Sequence, residues 1–375
     1  MKAGRLSRKT HLKRHAALPT EGGARFFDLT NEQDDEDTTL VERTADKHAP
    51  KLIDLTADEP PTLRPLAGLH ITGDVNITTS LPGRFQTEED LFDWCASILA
   101  ESPTAGRLLE EAAANDWIVG TADLHSGGFY LDTVQKHILL DHFSMRPAML
   151  GRSVYFRNAF ITTLIRALRD VWHEQRGTSV ASHYKPEDVL MLERIRAADC
   201  DTVTIQVGWE LRGAGFTDIW RHILGSEEGD MALTFTRYLE RDPGAQFDGA
   251  ALACTFRQWY SDQARVDACD HQALENLDAI LMAAEMRNPF GTDQLPATEV
   301  EALSSLPDGS FYLAGLGRTV LADPVFAGLS DPVNQTHLFH LIYDMEVTMV
   351  NNVPFRDARL ARKIFPNAEN IRTWR

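Results

Sequence analysis

The chain is 375 residues long with 43% hydrophobic and 25% charged residues, which places it among globular proteins of one large or two moderate domains. Asp and Glu number 55 against 37 Lys and Arg, a formal charge of -18 that disfavours nucleic acid or an anionic lipid surface as partner. Apolar runs fall short of the ~20 residues a membrane helix needs and the first residues lack the apolar stretch of a secretory signal. Cys95, Cys200, Cys254 and Cys269 form no CxxC, so the expectation is a cytoplasmic protein with reduced thiols.

Taken in chain order, residues 1–60 join a basic arm (Lys2, Arg5, Arg8, Lys9, Lys13, Arg14) to the acidic run EQDDED at 32–37. Opposite charge blocks with little apolar content cannot collapse on a core, so a disordered charged tail is expected there. Pro60, Pro61 and Pro65 begin an extended linker over 61–86, and a single globular domain follows over 87–375, with any subdivision falling in the Gly-, Pro- and Asp-rich stretch 288–333. Thr87 is suited to cap a helix whose Leu91, Trp94, Cys95 and Ile98 share one stripe, and a second helix spans 103–115 with Leu108 and Leu109 inward. WIVGTAD and FYLD flank Gly127 and Gly128 and read as strand, tight turn and strand, with VQKHILL as a third strand. A sheet this small needs helices to bury it. Long helices follow at 154–177, stopped by Gly177, and at 186–214, then others at 218–224, 227–241, 247–260 and 262–287. A short capped helix, a segment at 334–349 and a last helix at 355–364 close the chain. The class is α+β, mostly helical, with a small antiparallel β meander.

The order of hairpin, long helix ending in a Trp, and second long helix bearing acids and a WEL segment resembles a bacterial family of zincin-like metallopeptidases. Members of that family carry HELRHAWQ on the central helix after a GGxY hairpin. The matching run here is Arg166, Ala167, Leu168, Arg169, Asp170, Val171, Trp172 and His173, and the close RDARLARKIFP at 356–366 extends the likeness. The resemblance implies a zincin-like helical core with zinc as cofactor. Two histidines four apart present imidazoles to one zinc, and the adjacent glutamate takes a proton from metal-bound water. By that match Arg166 and Asp170 stand at the histidine positions and Ala167 at the glutamate position, so peptidase chemistry is lost and a binding or regulatory module with a protein or peptide partner is expected. The candidate relict site is Arg166, Arg169, Asp170, Glu193 and Asp199, with Asp201 near it. The plain alternative is an exposed i,i+4 ion pair between Arg166 and Asp170.

Other residues offer weaker chemistry. His337, His340 and Asp344 share one face of a helix and are credible metal ligands, which supports a second reading as a metal-dependent hydrolase. His137, Asp141 and His142 cluster in KHILLDHF, although on a strand His142 points away from the other two. Cys200 lies between acids and is a poor nucleophile. No GxSxG, GxGxxG or GxxxxGK[ST] is present, and GLGRTV at 315–320 reads as a turn. The Trp209 and Trp220 segments read as interhelical aromatic packing. A third reading is a structural or interaction protein with no zincin ancestry.

Overall fold

A computed structural model of the chain describes residues 12–14, 62–71, 85–125, 128–177, 183–283, 289–346, 348–350, 353–355, 363–364 and 371–373. The first helices form where the caps dictate. Thr87 Oγ1 accepts from Asp90 N at 3.2 Å while the Asp90 carboxylate accepts from Thr87 N at 3.1 Å, a reciprocal cap that starts α1 (Glu88–Leu99). Ser102 Oγ accepts from Ala105 N at 3.0 Å and Pro103 occupies the first turn of α2 (Pro103–Ala114).

Five strands build the larger sheet: β1 (Leu12–Arg14), β2 (Arg64–Pro65), β3 (Ile118–Ala122), β4 (Phe129–Asp132) and β5 (His137–Asp141), in the order β1-β4-β5-β3-β2. Strand β1 lies within the expected tail, the rest of which is outside the described residues. The turn expected between β3 and β4 does not join partners. Instead β4 pairs antiparallel with β5, and β5 lies between β4 and β3, running parallel to β3. The reason is a second, stronger turn: Asp132 Oδ1 accepts from Val134 N and Gln135 N, both at 2.9 Å, and Lys136 takes φ 57, closing a β4–β5 hairpin. The remaining pairings of this sheet are antiparallel.

Helix α4 (Val154–Gln175) follows the short α3 (Pro147–Arg152) and packs on β4 and β5, so the sheet has the helical cover it needs. Helix α5 (Pro186–Gly213) runs through the centre and contacts α4, α6 (Thr217–Leu224), α8 (Ala250–Trp259), α9 (Gln263–Ala283) and α10 (Ala297–Leu303). Helix α7 (Gly229–Arg241) lies beside α8. A Cβ on Gly208 would meet Ile223 Cδ1 at 2.3 Å, so the glycine is what lets α6 approach this closely. Trp209 and Trp220 pack edge to face with centroids 5.4 Å apart, as expected of interhelical packing.

Helices α11 (Gly317–Ala322), α12 (Pro324–Ala327) and α13 (Pro332–Glu346) follow, so GLGRTV, expected as a turn, enters a helix at Gly317 after Gly315 bends the chain at φ 74. A three-stranded antiparallel sheet closes the described chain: β6 (Thr348–Val350), β7 (Val353–Phe355) and β8 (Ile371–Thr373), ordered β7-β6-β8. The short helix expected over 355–364 lies largely outside the described residues. One continuous apolar cluster extends from Leu66 to Leu341. The fold is thus mostly helical α+β with a small sheet packed against helices.

Candidate functional site

Arg166, Arg169, Asp170 and His173 recur at three and four on α4, so they share the face that meets α5. Helix α5 is covered on nearly every side, and its Glu193, Arg194, Arg196 and Asp199 are buried at 5%, 2%, 1% and 0% exposure. Charges so placed need partners, because an unpaired one inside the protein loses its hydration without return. Arg194 pairs with Asp270 on α9, and the other charges pair in three sites along the two helices.

The innermost site centres on Asp199. Oδ2 accepts from Arg169 Nε at 2.6 Å and faces His173 Nε2 at 2.8 Å; Oδ1 accepts from Arg169 Nη2 at 2.9 Å and from Tyr312 Oη at 2.7 Å. An ionised carboxylate can only accept, so His173 carries its proton on Nε2 and donates it. Two of the three remaining guanidinium hydrogens go to the Ser305 and Leu303 carbonyls at 2.7 and 3.1 Å, so Arg169 also closes the C-terminal end of α10. Burial alone would raise the Asp199 carboxyl, but the Arg169 charge and the hydrogen bonds from His173 and Arg169 outweigh it and hold it well below the usual carboxylate range. Burial wins at His173, which falls to about 4 against the pull of Asp199 and with the help of the Arg169 and Arg196 charges. Burial also pushes the Tyr312 phenol well above its ordinary value, reinforced by Asp199.

One turn towards the N-terminus of α4, Arg166 reaches Asp201 Oδ1 at 2.8 Å and Glu228 on the approach to α7. Trp259 Nε1 donates to the other Asp201 oxygen at 2.9 Å. Burial opposes the Arg166 charge, but the two carboxylates overcome it and raise the group. The pair shares one guanidinium unequally. Glu228 is held below its ordinary range by Arg166 despite burial, while Asp201 is raised by burial and by the charge of Glu228. In the third site Arg196 Nη2 meets Asp170 Oδ1 at 2.8 Å and Glu174 Oε1 at 2.7 Å, with Glu193 Oε1 3.8 Å from Nη1. These carboxylates overcome the cost of burial and raise Arg196 well above the ordinary arginine value.

The five residues of the expected relict site therefore lie along one helix pair as ion pairs: Arg169 and Asp199 hold each other, while Arg166, Asp170 and Glu193 face charges outside the set. The i,i+4 bond between Arg166 and Asp170 is replaced by separate partners, Asp201 and Glu228 for one and Arg196 for the other. This arrangement does not fit a zinc ion at the family's helix position. Arg166 is itself a cation, Asp170 already faces one, and Ala167, 0% exposed, offers no proton acceptor.

Donor atoms of His173, Asp199 and Cys200 lie within 4.8 Å of one another, as do those of Asp123, Asp141 and His142, and either set is chemically able to hold a metal such as zinc. The first set is encumbered. A carboxylate has about four acceptor sites, Asp199 uses them on Arg169, His173 and Tyr312, and Arg169 would repel an entering cation. His337 and His340 belong to neither set among the described residues. His337 Nε2 faces Asp278 on α9, His340 is exposed beside Phe339, and the side chain of Asp344 lies outside the described residues.

Fold and site together define a helical α+β domain whose central helix pair is filled with paired charges. The family model described as "Putative metallopeptidase family (DUF6782)" matches residues 82–314, more than half of the chain, and the chain belongs to that family. That membership sets aside the reading with no relation to it. No curated protein matches the chain, and no solved structure matches it. The one His-Glu dipeptide, His173 with Glu174, has Gly177 where HExxH requires its second histidine. His173, Tyr312 and Glu228 were not singled out as members of the charged site. The available signal was the i+7 spacing from Arg166 to His173, which puts the imidazole on the charged face of α4.

Proposed function

We propose that this chain is a non-hydrolytic member of its family, a cytoplasmic binding or regulatory module for a protein or peptide partner. The observation that carries the reading is the state of the α4 positions aligned with the catalytic motif. Arg166 and Asp170 are each engaged by opposite charges, and between them stands buried Ala167, which has no group to take a proton from water. The charges serve to hold α4, α5 and α10 together. No helix among the described residues is long and apolar enough to cross a membrane. The test is incubation of the tag-free full chain with a peptide library, with added zinc and with chelator, read by mass spectrometry of new peptide ends. The expected result is the same peptide set in both arms; zinc-dependent cleavage, abolished by chelator, overturns the reading.

A further inference from the structure

Strands β3 and β5 run parallel and adjacent, with Ala122 opposite Asp141, so both carboxyl ends open on the same edge of the sheet. The chain places a donor residue at each end: Asp123 just beyond β3, Asp141 as the last residue of β5, and His142 immediately after it. His142 N donates to the Ala122 carbonyl at 3.2 Å, which ties the two ends together. Ser144 Oγ, on the loop after β5, donates to Asp123 Oδ2 at 2.8 Å, and Phe143 N donates to Asp141 Oδ1 at 2.8 Å. Both carboxylates are thus oriented by hydrogen bonds across and within the two loops.

We propose that Asp123, Asp141 and His142 form a binding site for a divalent transition-metal ion, with zinc as the reference ligand. Their donor atoms lie within 4.8 Å of one another. Donors around a tetrahedral zinc stand roughly 3.4 Å apart, so small side-chain adjustments suffice to close the set. Two carboxylates this close repel each other, and a divalent cation between them removes that repulsion. A mixed oxygen and imidazole set suits zinc or manganese rather than a soft ion.

One of the three donor residues also lacks a partner at a ring nitrogen. His142 Nδ1 is buried and has no hydrogen-bond partner among the described residues, although buried ring nitrogens are ordinarily paired. A metal or a metal-bound water would satisfy it. His125, its side chain 77% exposed at the rim, brings Nδ1 to 2.8 Å from Asp123 Oδ1, where it is placed to support the aspartate or to join the ligand set. The contrast with the Asp199 cluster is chemical: there an internal guanidinium occupies the carboxylate, whereas Asp123 is held by a hydroxyl and an imidazole and keeps further acceptor capacity.

The site shares no residue with the α4 positions, so the hydrolysis assay and a metal titration read different residues. Isothermal titration of the tag-free full chain with zinc chloride in a non-coordinating buffer is expected to show one ion per chain with Kd of about 10 µM or tighter. Asp123→Ala, at a side chain 37% exposed, is expected to weaken binding by about tenfold or more while leaving Tm in the absence of metal unchanged. His142→Ala is expected to weaken binding comparably, and His337→Ala to leave it intact. Absence of zinc binding by the unsubstituted chain overturns the proposal, as does binding that persists at full strength in both Asp123→Ala and His142→Ala.

Discussion

Two regions bring carboxylate and imidazole donors within 4.8 Å of one another, and they differ in what surrounds them. Around Asp199, which is 0% exposed, the neighbours include a guanidinium, a phenol and a protonated ring nitrogen, all aimed at one carboxylate. At the β3–β5 edge, Asp123 is partly exposed and its partners are the Ser144 hydroxyl and the His125 ring. The same residue types therefore have opposite uses. In the interior, desolvation makes an uncompensated charge prohibitive, so the protein supplies its own counter-ion. At the edge, Asp141 is buried at 2% exposure, but water shares the load at Asp123, which can remain open to an external one.

The largest expected effect comes from unpairing the interior. Arg169→Met leaves Asp199 buried without its bidentate partner and leaves the carbonyls of Leu303 at the end of α10 and Ser305 just after it facing an apolar neighbour, and it should destabilise the fold by about 3–5 kcal/mol in urea unfolding. Arg169→Lys keeps the charge but not the planar fork and should lose less, though well above zero. Arg166→Ala leaves Asp201 and Glu228 facing each other without a cation. Since Arg166 is 16% exposed at its side chain, a loss of about 2–4 kcal/mol is expected by the same measurement. A change within about 0.5 kcal/mol would mean that the pairing is a surface ornament.

Acid should sharpen the contrast. The His173 value of about 4 lies below the ordinary 6.5, so between these values the unfolded chain binds the proton and the folded chain resists it. Stability then falls as pH drops from about 6.5 to 4, by up to about 3 kcal/mol. The depressed Asp199 carboxyl adds the opposite type of group with the same outcome: its contribution is present above the ordinary carboxylate value near 3.8 and is lost as pH falls towards its folded value. His173→Gln should flatten the upper part of this profile, checked by urea unfolding at pH 7, 5 and 4. The smallest effect belongs to His337→Ala, because its partner Asp278 is 44% exposed, and a stability change within about 0.5 kcal/mol is expected.

How much of this was legible depended on how local the cause was. Thr87 with Asp90 and Ser102 with Pro103 announce α1 and α2, and the apolar spacing in 154–177 announces α4, because caps and periodicity act within a turn or two. Helix α5 was placed within a residue or so by its proline start and glycine end. Its Arg194, Arg196 and Asp199 resemble an exposed charged face in sequence, yet they are buried because neighbouring helices cover all sides. The partners that make this tolerable are remote, with Tyr312 standing 113 residues from Asp199.

The sheet edge shows the same limit. The sequence clusters His137, Asp141 and His142 and sets His142 apart from the other two, whereas in the fold Asp141 and His142 come together and His137 sits at the opposite end of β5, about 13 Å away along a strand of this length. The third donor, Asp123, enters only because β5 pairs in parallel with β3, and no turn motif encodes that pairing.

Where a metal goes when one is supplied separates the two regions most directly. Zinc-edge X-ray absorption on the full chain loaded with one zinc reads the ligand shell without any substitution. The expected shell contains only nitrogen and oxygen, at about 2.0–2.2 Å. A sulfur scatterer near 2.3 Å that disappears in Cys200→Ser would place the ion with Cys200, His173 and Asp199, and would contradict the claim that this interior is closed by its own charges.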